Sequence, residues 1–443
     1  MVRIWNRILI SSLLLLLNSS FAQEFLSLEE SIQIGLNNNY TIQIARSEAE
    51  IDENNSSLGN AGFLPTLDVS AASQKSVQDS RQEFITGNIS DRKGAEQTSQ
   101  QASVLLNWTI FDGFKMFISY NKLKEIEQLG ENSARAAIEG TVAQIIVAYY
   151  DVVRQKKNLS YIQENLAVSR ERLKISEGNF DIGAGSKLSA LQARVDFNTD
   201  SSALLQQQAN FKQSQIVLNQ LLARDIDSPF TVKDTITLGI VPDFAGLQAA
   251  ALKQNAQLRM ARNNEKISRL SLKEVKTQWL PQVDLRADYQ WAKSQSEAGF
   301  LLENQTSGYT YGVNLFLNLF NGFNSWREAQ NAKIGIRISR IQIEELKTRI
   351  KADLANVYEA YSNSLKRITL ENENLNAASQ NLDISLEQMR IGSINALELR
   401  EAQQNLLLAE DRLTSAEFQA KVAETELLRL SGLLVNSDLE VPE

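Results

Sequence analysis

The chain switches between two hydrophobic periods, and it makes the same switch twice. From Thr66 the apolar side chains fall on alternate residues, with Leu67, Val69 and Ala71 on one face and Thr66, Asp68 and Ser70 on the other. After a polar stretch, Ala102, Val104, Leu106, Trp108 and Ile110 alternate with Ser103, Leu105, Asn107 and Thr109. The arrangement returns with Val283, Leu285, Ala287, Tyr289 and Trp291 against Asp284, Arg286, Asp288 and Gln290, and then with Tyr309, Tyr311, Val313, Leu315 and Leu317 against Thr310, Gly312, Asn314 and Phe316. A period of two predicts β-strands, so each half supplies one hairpin of strands about ten residues long. The hairpins fall at about 64–111 and 280–320, and the polar stretches 74–100 and 292–308 read as their loops.

Elsewhere the period is helical. Ile145, Tyr149 and Val152 in the first half match Leu354, Tyr358 and Tyr361 in the second, which predicts helices over 40–61, 113–182 and 188–224, and again over 255–278, 323–390 and 395–430. Asp112 and Asn321 stand where an N-cap is wanted. The five prolines fall outside the long segments, so nothing interrupts helices of about 70 residues, roughly 100 Å each. Each half is a rod that pairs one continuous helix with two stacked ones, and carries a hairpin at one end.

The halves are also similar residue by residue. Phe63-Leu64-Pro65-Thr66-Leu67-Asp68 is echoed by Trp279-Leu280-Pro281-Gln282-Val283-Asp284, and Phe111-Asp112-Gly113-Phe114 by Phe320-Asn321-Gly322-Phe323. Ile182-Gly183 matches Ile391-Gly392, Leu188 matches Leu397, and Ala193 matches Ala402. The expected organisation is an internal duplication: a first repeat over 23–228, a linker over 229–242, a second repeat over 243–434 and a tail over 435–443.

Composition narrows the function. The chain has no Cys and no His, which removes disulfides, the usual zinc sites and imidazole catalysis. No catalytic constellation, cofactor site or metal site is found, and the chain is not expected to be an enzyme. A net charge of -8 without a Lys/Arg-rich block argues against nucleic acid. Arg3 and Arg7, the apolar run Ile8 to Leu17 and Ser20-Phe21-Ala22 read as a signal peptide over residues 1–22. No later run has 18 uninterrupted apolar residues, so a membrane crossing would use β-strands. The strand length suits an outer membrane. Asp68, Asp284, Arg286 and Asp288 would then face a wet lumen, and Trp108, Tyr289, Trp291, Tyr309 and Tyr311 would form an interfacial aromatic girdle against lipid. Four strands cannot close a barrel, and a polar lumen favours the twelve strands of three chains over the eight of two.

The duplicated plan, the Leu-Pro strand starts, the two Phe-Asp/Asn-Gly-Phe turns and the Gly-x4-Leu-x4-Ala pattern at Gly183 to Ala193 and Gly392 to Ala402 resemble the TolC-type outer-membrane efflux proteins over essentially the whole exported chain. The resemblance implies a mainly α, mixed fold: a homotrimer with a transmembrane β-barrel, a long helical coiled-coil barrel in the periplasm, and an equatorial region near 225–245. It implies an exit channel of a tripartite efflux or type I secretion system, served by a periplasmic adaptor and an inner-membrane pump. By position, Glu398 and Glu401 would supply the periplasmic gate, while the first copy has Ser189 and Gln192 instead. The adaptor would meet the turns Ile182-Gly183-Ala184 and Ile391-Gly392-Ser393. The alternative, a soluble periplasmic coiled-coil scaffold, explains the rods but leaves the amphipathic strands idle.

Overall fold

The computed structural model describes residues 24–298 and 301–435; the expected signal peptide and residues 436–443 of the tail lie outside the described residues. The chain is mainly helical. In order it forms β1 (Glu24–Phe25), α1 (Leu28–Asn38), α2 (Tyr40–Asn55), β2 (Thr66–Glu83), β3 (Ile89–Phe111), α3 (Lys115–Asp181) and α4 (Lys187–Leu221). The order then recurs with β4 (Phe230–Thr231), α5 (Phe244–Gln254), α6 (Ala256–Lys276), β5 (Gln282–Ser296), β6 (Glu303–Phe316), α7 (Asn324–Arg390) and α8 (Ala396–Ser431). The two long helices both have 67 residues, and α4 and α8 have 35 and 36.

Two sequence expectations need correction. The stretches 74–100 and 292–308 are mostly strand, not loop: β2 and β3 stay paired from Thr66↔Asn107 out to Glu83↔Ile89, and β5 and β6 from Gln282↔Phe316 to Gln295↔Glu303. Polar residues on both faces hide the period of two, but the backbone ladder needs no apolar side chain to continue. The short helices α1 and α5 were also unforeseen. Their signals are local caps: Ser27 and Glu30 form a reciprocal capping box, and the Asp243 side chain accepts the Gly246 N–H.

The chain divides into two compact units, the first built from residues up to 46, 134–258 and 346 onward, the second from 47–133 and 259–345. In the first, Ile42, Ile145, Tyr149, Val152, Leu218, Leu222 and Phe230 form one buried cluster, with β1 paired in parallel to β4 beside it. The α3 segment apolar enough to cross a membrane is largely buried in the chain. The seams of α4 and α8 follow a 3,4 spacing. On α8 it runs Leu399, Ala402, Leu406, Ala409, Leu413, Ala416, Ala420, Ala423, Leu427 and Leu430, almost all buried, and such a seven-residue repeat specifies left-handed coiled-coil packing.

Two asparagines do equivalent work in the halves. Asn39, between α1 and α2, donates from Nδ2 to the Leu221 carbonyl at 2.7 Å, and its Oδ1 accepts the Thr41 and Ile42 amides. Asn255, between α5 and α6, donates to the Leu430 carbonyl at 2.9 Å and accepts the Leu258 amide. Each breaks one helix, starts the next and caps the C-terminal end of a return helix, satisfying amides and carbonyls that would otherwise be orphaned.

The second unit holds one antiparallel sheet in the order β2-β3-β5-β6, so the hairpins join through β3 and β5. Both strand-to-helix turns place a glycine and then a phenylalanine in the left-handed region, with φ of 68° and 68° at Gly113 and Phe114 and 68° and 63° at Gly322 and Phe323. Asp112 and Asn321 serve as caps, accepting the Met116 and Ser325 amides. A Cβ at Gly113 would lie 2.6 Å from Leu280 Cβ and 3.0 Å from the Thr277 carbonyl oxygen, whereas at Gly322 the nearest atom is 3.9 Å away. Gly322→Ala is therefore expected to cost only the left-handed strain of about 1–2 kcal/mol, and Gly113→Ala roughly 1–3 kcal/mol more for overpacking. Melting of the detergent-solubilised variants should rank them in that order.

A second prediction concerns Glu410, 8% exposed on α8. Burial, and secondarily the Glu164 charge, push its carboxyl up to about 7. Between about pH 4.3 and 7 the folded chain then binds more protons than the unfolded chain, so stability falls as pH rises and the penalty is complete above pH 7. Glu410→Gln should raise the melting temperature at pH 8 and leave it nearly unchanged at pH 4.5, a difference of order 1–3 kcal/mol in stability.

Candidate functional site

The sheet separates its residues by face. Register places Asp68, Leu105, Asp288 and Thr310 in one cross-strand row, Thr66, Asn107, Arg286 and Gly312 in the next, and Thr109, Asp284 and Asn314 in a third. Asp68, Asp284, Arg286 and Asp288 thus share the polar face, which carries a cavity of about 360 Å³ lined by Ser103, Arg286, Asp288, Gln290 and Thr310. Asp284 is held by the Thr109 hydroxyl at 2.7 Å and the Gln282 amide at 3.0 Å.

The opposite face is apolar over Leu67 to Ala71, Ala102 to Ile110, Val283 to Trp291 and Tyr309 to Leu315. About nine residues, tilted as barrel strands are, cover roughly 22 Å, close to the ~25 Å apolar band of an outer-membrane barrel. Beyond it the same face turns polar at Ser73, Gln100, Lys293 and Gln305, with ion pairs Lys75–Glu96 at 2.6 Å and Lys293–Glu303 at 3.1 Å.

All five aromatic candidates lie on this apolar face, spread over four consecutive rows. Tyr289 stands opposite Tyr309, whose ring stacks on Tyr311 at 6.4 Å, and Trp291 is one row further out. Trp108 sits one row on from Tyr311 in the other direction, opposite Leu285, and donates its indole N–H to the Phe63 carbonyl at 2.9 Å. The strand-to-helix turns hold aromatics that sequence reading missed: Phe111 and Phe114, like Phe320 and Phe323, meet edge to face at 5.2 Å, and Phe63 meets Phe117 at 4.9 Å. The doubled Phe-x-Gly-Phe was their signal, legible as a turn and equally as an exposed aromatic pair.

In the first unit, the turns after α3 and α7 have one geometry. Gly183 and Gly392 are left-handed at φ 77° and 74°. The Gly183 and Ala184 amides bond back to Phe180 and Asn179, and the Gly392 and Ser393 amides to Met389 and Gln388, the Schellman closure of a helix. Ile182 and Ile391 are 78% and 79% exposed at these turns. Asn395 then caps α8, accepting the Leu397 and Glu398 amides and donating to the Glu398 carboxylate at 2.6 Å. Glu398 and Glu401 are both exposed in the opening turns of α8.

Between those glutamates Arg400 turns inward. It donates to both carboxylate oxygens of Asp200 on α4, at 2.6 and 3.0 Å. Asp200 also takes the Ser169 hydroxyl, and Gln403 donates to Ser169 at 2.6 Å and to the Asn165 carbonyl at 2.8 Å. Arg172, 1% exposed, pairs with Asp196 at 2.8 Å, and burial holds its guanidinium below the usual arginine range. Sequence reading missed this cluster, although Asp200 stands on the 3,4 seam of α4 with Ala193, Gln207 and Ser214. Among the described residues no group of three His, Cys, Asp or Glu side chains is placed to hold a metal ion.

Known proteins share this arrangement. The chain is 22% identical over 437 residues to the alkaline protease secretion protein AprF of Pseudomonas aeruginosa, covering 97% of this chain and 88% of that one. It is 20% identical over 408 residues to the outer membrane efflux protein BepC of Brucella suis, covering 91% and 84%. The fold matches the crystal structure of the CmeC outer membrane channel of Campylobacter jejuni with a TM-score of 0.76, at 15% identity and over 94% and 87% of the two chains. The model of the outer membrane efflux protein family matches residues 32–224 and 247–433. Together with the lipid-sized apolar band and the long coiled-coil helices, that match establishes that this outer-membrane protein belongs to the outer membrane efflux protein family.

Proposed function

We propose that the protein is the outer-membrane exit channel of a tripartite efflux or type I secretion system: a passive conduit, not an enzyme, whose helices extend into the periplasm. The observation that carries this reading is a four-stranded sheet with one apolar face, one polar face and two unpaired edges, β2 and β6. Lipid offers those edge amides no partner, so β2 of one copy must meet β6 of another. Three copies close a twelve-stranded barrel with the polar faces inward. Exposed apolar residues at 3,4 spacing, Leu188, Leu191 and Val195 on α4 and Ile334, Ile338 and Ile341 on α7, support further contact between copies through a helical coiled-coil barrel.

The repeated element order supports an internal duplication, with repeats over 23–228 and 243–434 and an equatorial linker between. The exposed isoleucines of the two Schellman turns suit docking of a periplasmic adaptor, which would couple the channel to an inner-membrane pump. Glu398 and Glu401 form the periplasmic gate. Arg400 is already neutralised by Asp200, so it leaves the two exposed carboxylates uncompensated, and in a trimer they would converge on one axis as a negative constriction.

Three measurements test this. The mass of the detergent-solubilised particle should be that of three chains; a stable monomer would exclude the barrel. In a chain with no Cys of its own, Ile85→Cys at the β2–β3 turn should label from outside intact cells and Gly183→Cys should not; the reverse would invert the topology. In planar bilayers the channel should be cation-selective, and Glu398→Gln with Glu401→Gln should reduce that preference while assembly is retained. Gln at 398 still accepts the Asn395 bond, so a loss reports charge and not cap. Unchanged selectivity would place the gate elsewhere.

A further inference from the structure

On the polar face of the sheet as far as Gln78, before the register shift at Gln78/Ser80, every charge lies in three consecutive rows at one end. Along β2 that face reads Thr66, Asp68, Ser70, Ala72, Gln74, Ser76 and Gln78, and along β5 Gln282, Asp284, Arg286, Asp288, Gln290, Ala292, Ser294 and Ser296. The facing residues of β3 and β6 are all uncharged, among them Leu105, Asn107, Thr109, Thr310 and Asn314. Each chain therefore places three carboxylates and one guanidinium in the rows from Asp284 to Asp288, about 14 Å of strand length, and leaves the face neutral from there out to Gln78. The ion pairs Lys75–Glu96 and Lys293–Glu303 lie on the other face. The local excess is negative, and the next charge on that face, Arg92 opposite Ser80, lies past the register shift, six rows beyond Asp68.

We infer that this belt is a second charge filter, in the barrel itself and separate from the gate, which favours cationic and zwitterionic solutes over anionic ones in the last stage of export. The inference rests on the channel reading above, which makes the polar face the lumen wall. The two filters act differently. Gate carboxylates crowd a narrow axis, where they interact even at moderate salt. The belt lines the wall of a wide barrel, and its field reaches the central solution only when the screening length is comparable with the lumen: about 30 Å at 0.01 M salt, about 3 Å at 1 M. Belt selectivity is therefore strong in dilute salt and vanishes in concentrated salt. Arg286 is the specificity-determining residue, because it is the one positive charge within the belt and sets the size of its negative excess.

The test uses the full-length protein in planar bilayers, with reversal potentials across KCl gradients centred near 0.01 M and near 1 M. The background is the Glu398→Gln, Glu401→Gln channel, so that the gate is silent. It should keep a preference for K⁺ over Cl⁻ at low salt only. Arg286→Gln in that background should raise the low-salt permeability ratio by about twofold, Arg286→Lys should leave it unchanged, and Asp68→Asn with Asp288→Asn should abolish it. Conducting channels whose low-salt ratio ignores Arg286→Gln and Asp68→Asn/Asp288→Asn overturn the belt alone. A parent chain that assembles no conducting oligomer overturns the channel reading and the belt with it.

Discussion

An unpaired sheet edge is harmless in water and costly in hydrocarbon, and most of this structure follows from that difference. In lipid each orphaned amide or carbonyl costs several kcal/mol, and β2 and β6 both present a row of them beside an apolar face. Among the described residues four strands pair in this sheet, too few to curl round and join β2 to β6 within one chain. The proposed trimer, the inward polar faces and the lumen they enclose are consequences of that single requirement. The strands continue past the apolar band as paired ribbons, since the ladder that satisfies the backbone in lipid also holds in water.

The helices answer a different problem. In each half one short helix ends where the next begins, and the junction needs a residue that serves both. Asn39 and Asn255 provide it, each using one carboxamide to cap a nearby return helix as well. Alanines interspersed among leucines on the α8 seam, three of them in succession at Ala416, Ala420 and Ala423, let the backbones approach closely. Where the seam turns polar, at Asp200 on α4, the charge is met by Arg400 and not left to desolvation alone. Removing one partner of such a buried pair costs more than the pair itself contributes. The same contact decides the sign of the nearby surface, because it takes the one positive side chain between Glu398 and Glu401 out of solution.

Much of this was legible in one dimension. The two periods, the two glycine turns of each half, the caps at Asp112 and Asn321 and the seven-residue seams are local properties of the chain, and their physics acts over one or two turns. They determined the number of long helices, the two hairpins, and which strand residues share a face, Asp68, Asp284, Arg286 and Asp288 among them. The tertiary structure decided what stands opposite. Which hairpin edges join, through β3 and β5, depends on partners 183 and 181 residues apart, as at Leu105↔Asp288 and Leu106↔Ala287. Whether residues 74–83 and 89–100 are strand depends on a ladder with no hydrophobic signature. Arg400 looks in sequence like any surface arginine between two glutamates; it is drawn in and largely covered because Asp200 of another helix lies 2.6 Å away. Periodicity acts along the chain and can be read from it, whereas hydrogen-bond pairing and desolvation depend on a neighbour that only the folded chain supplies.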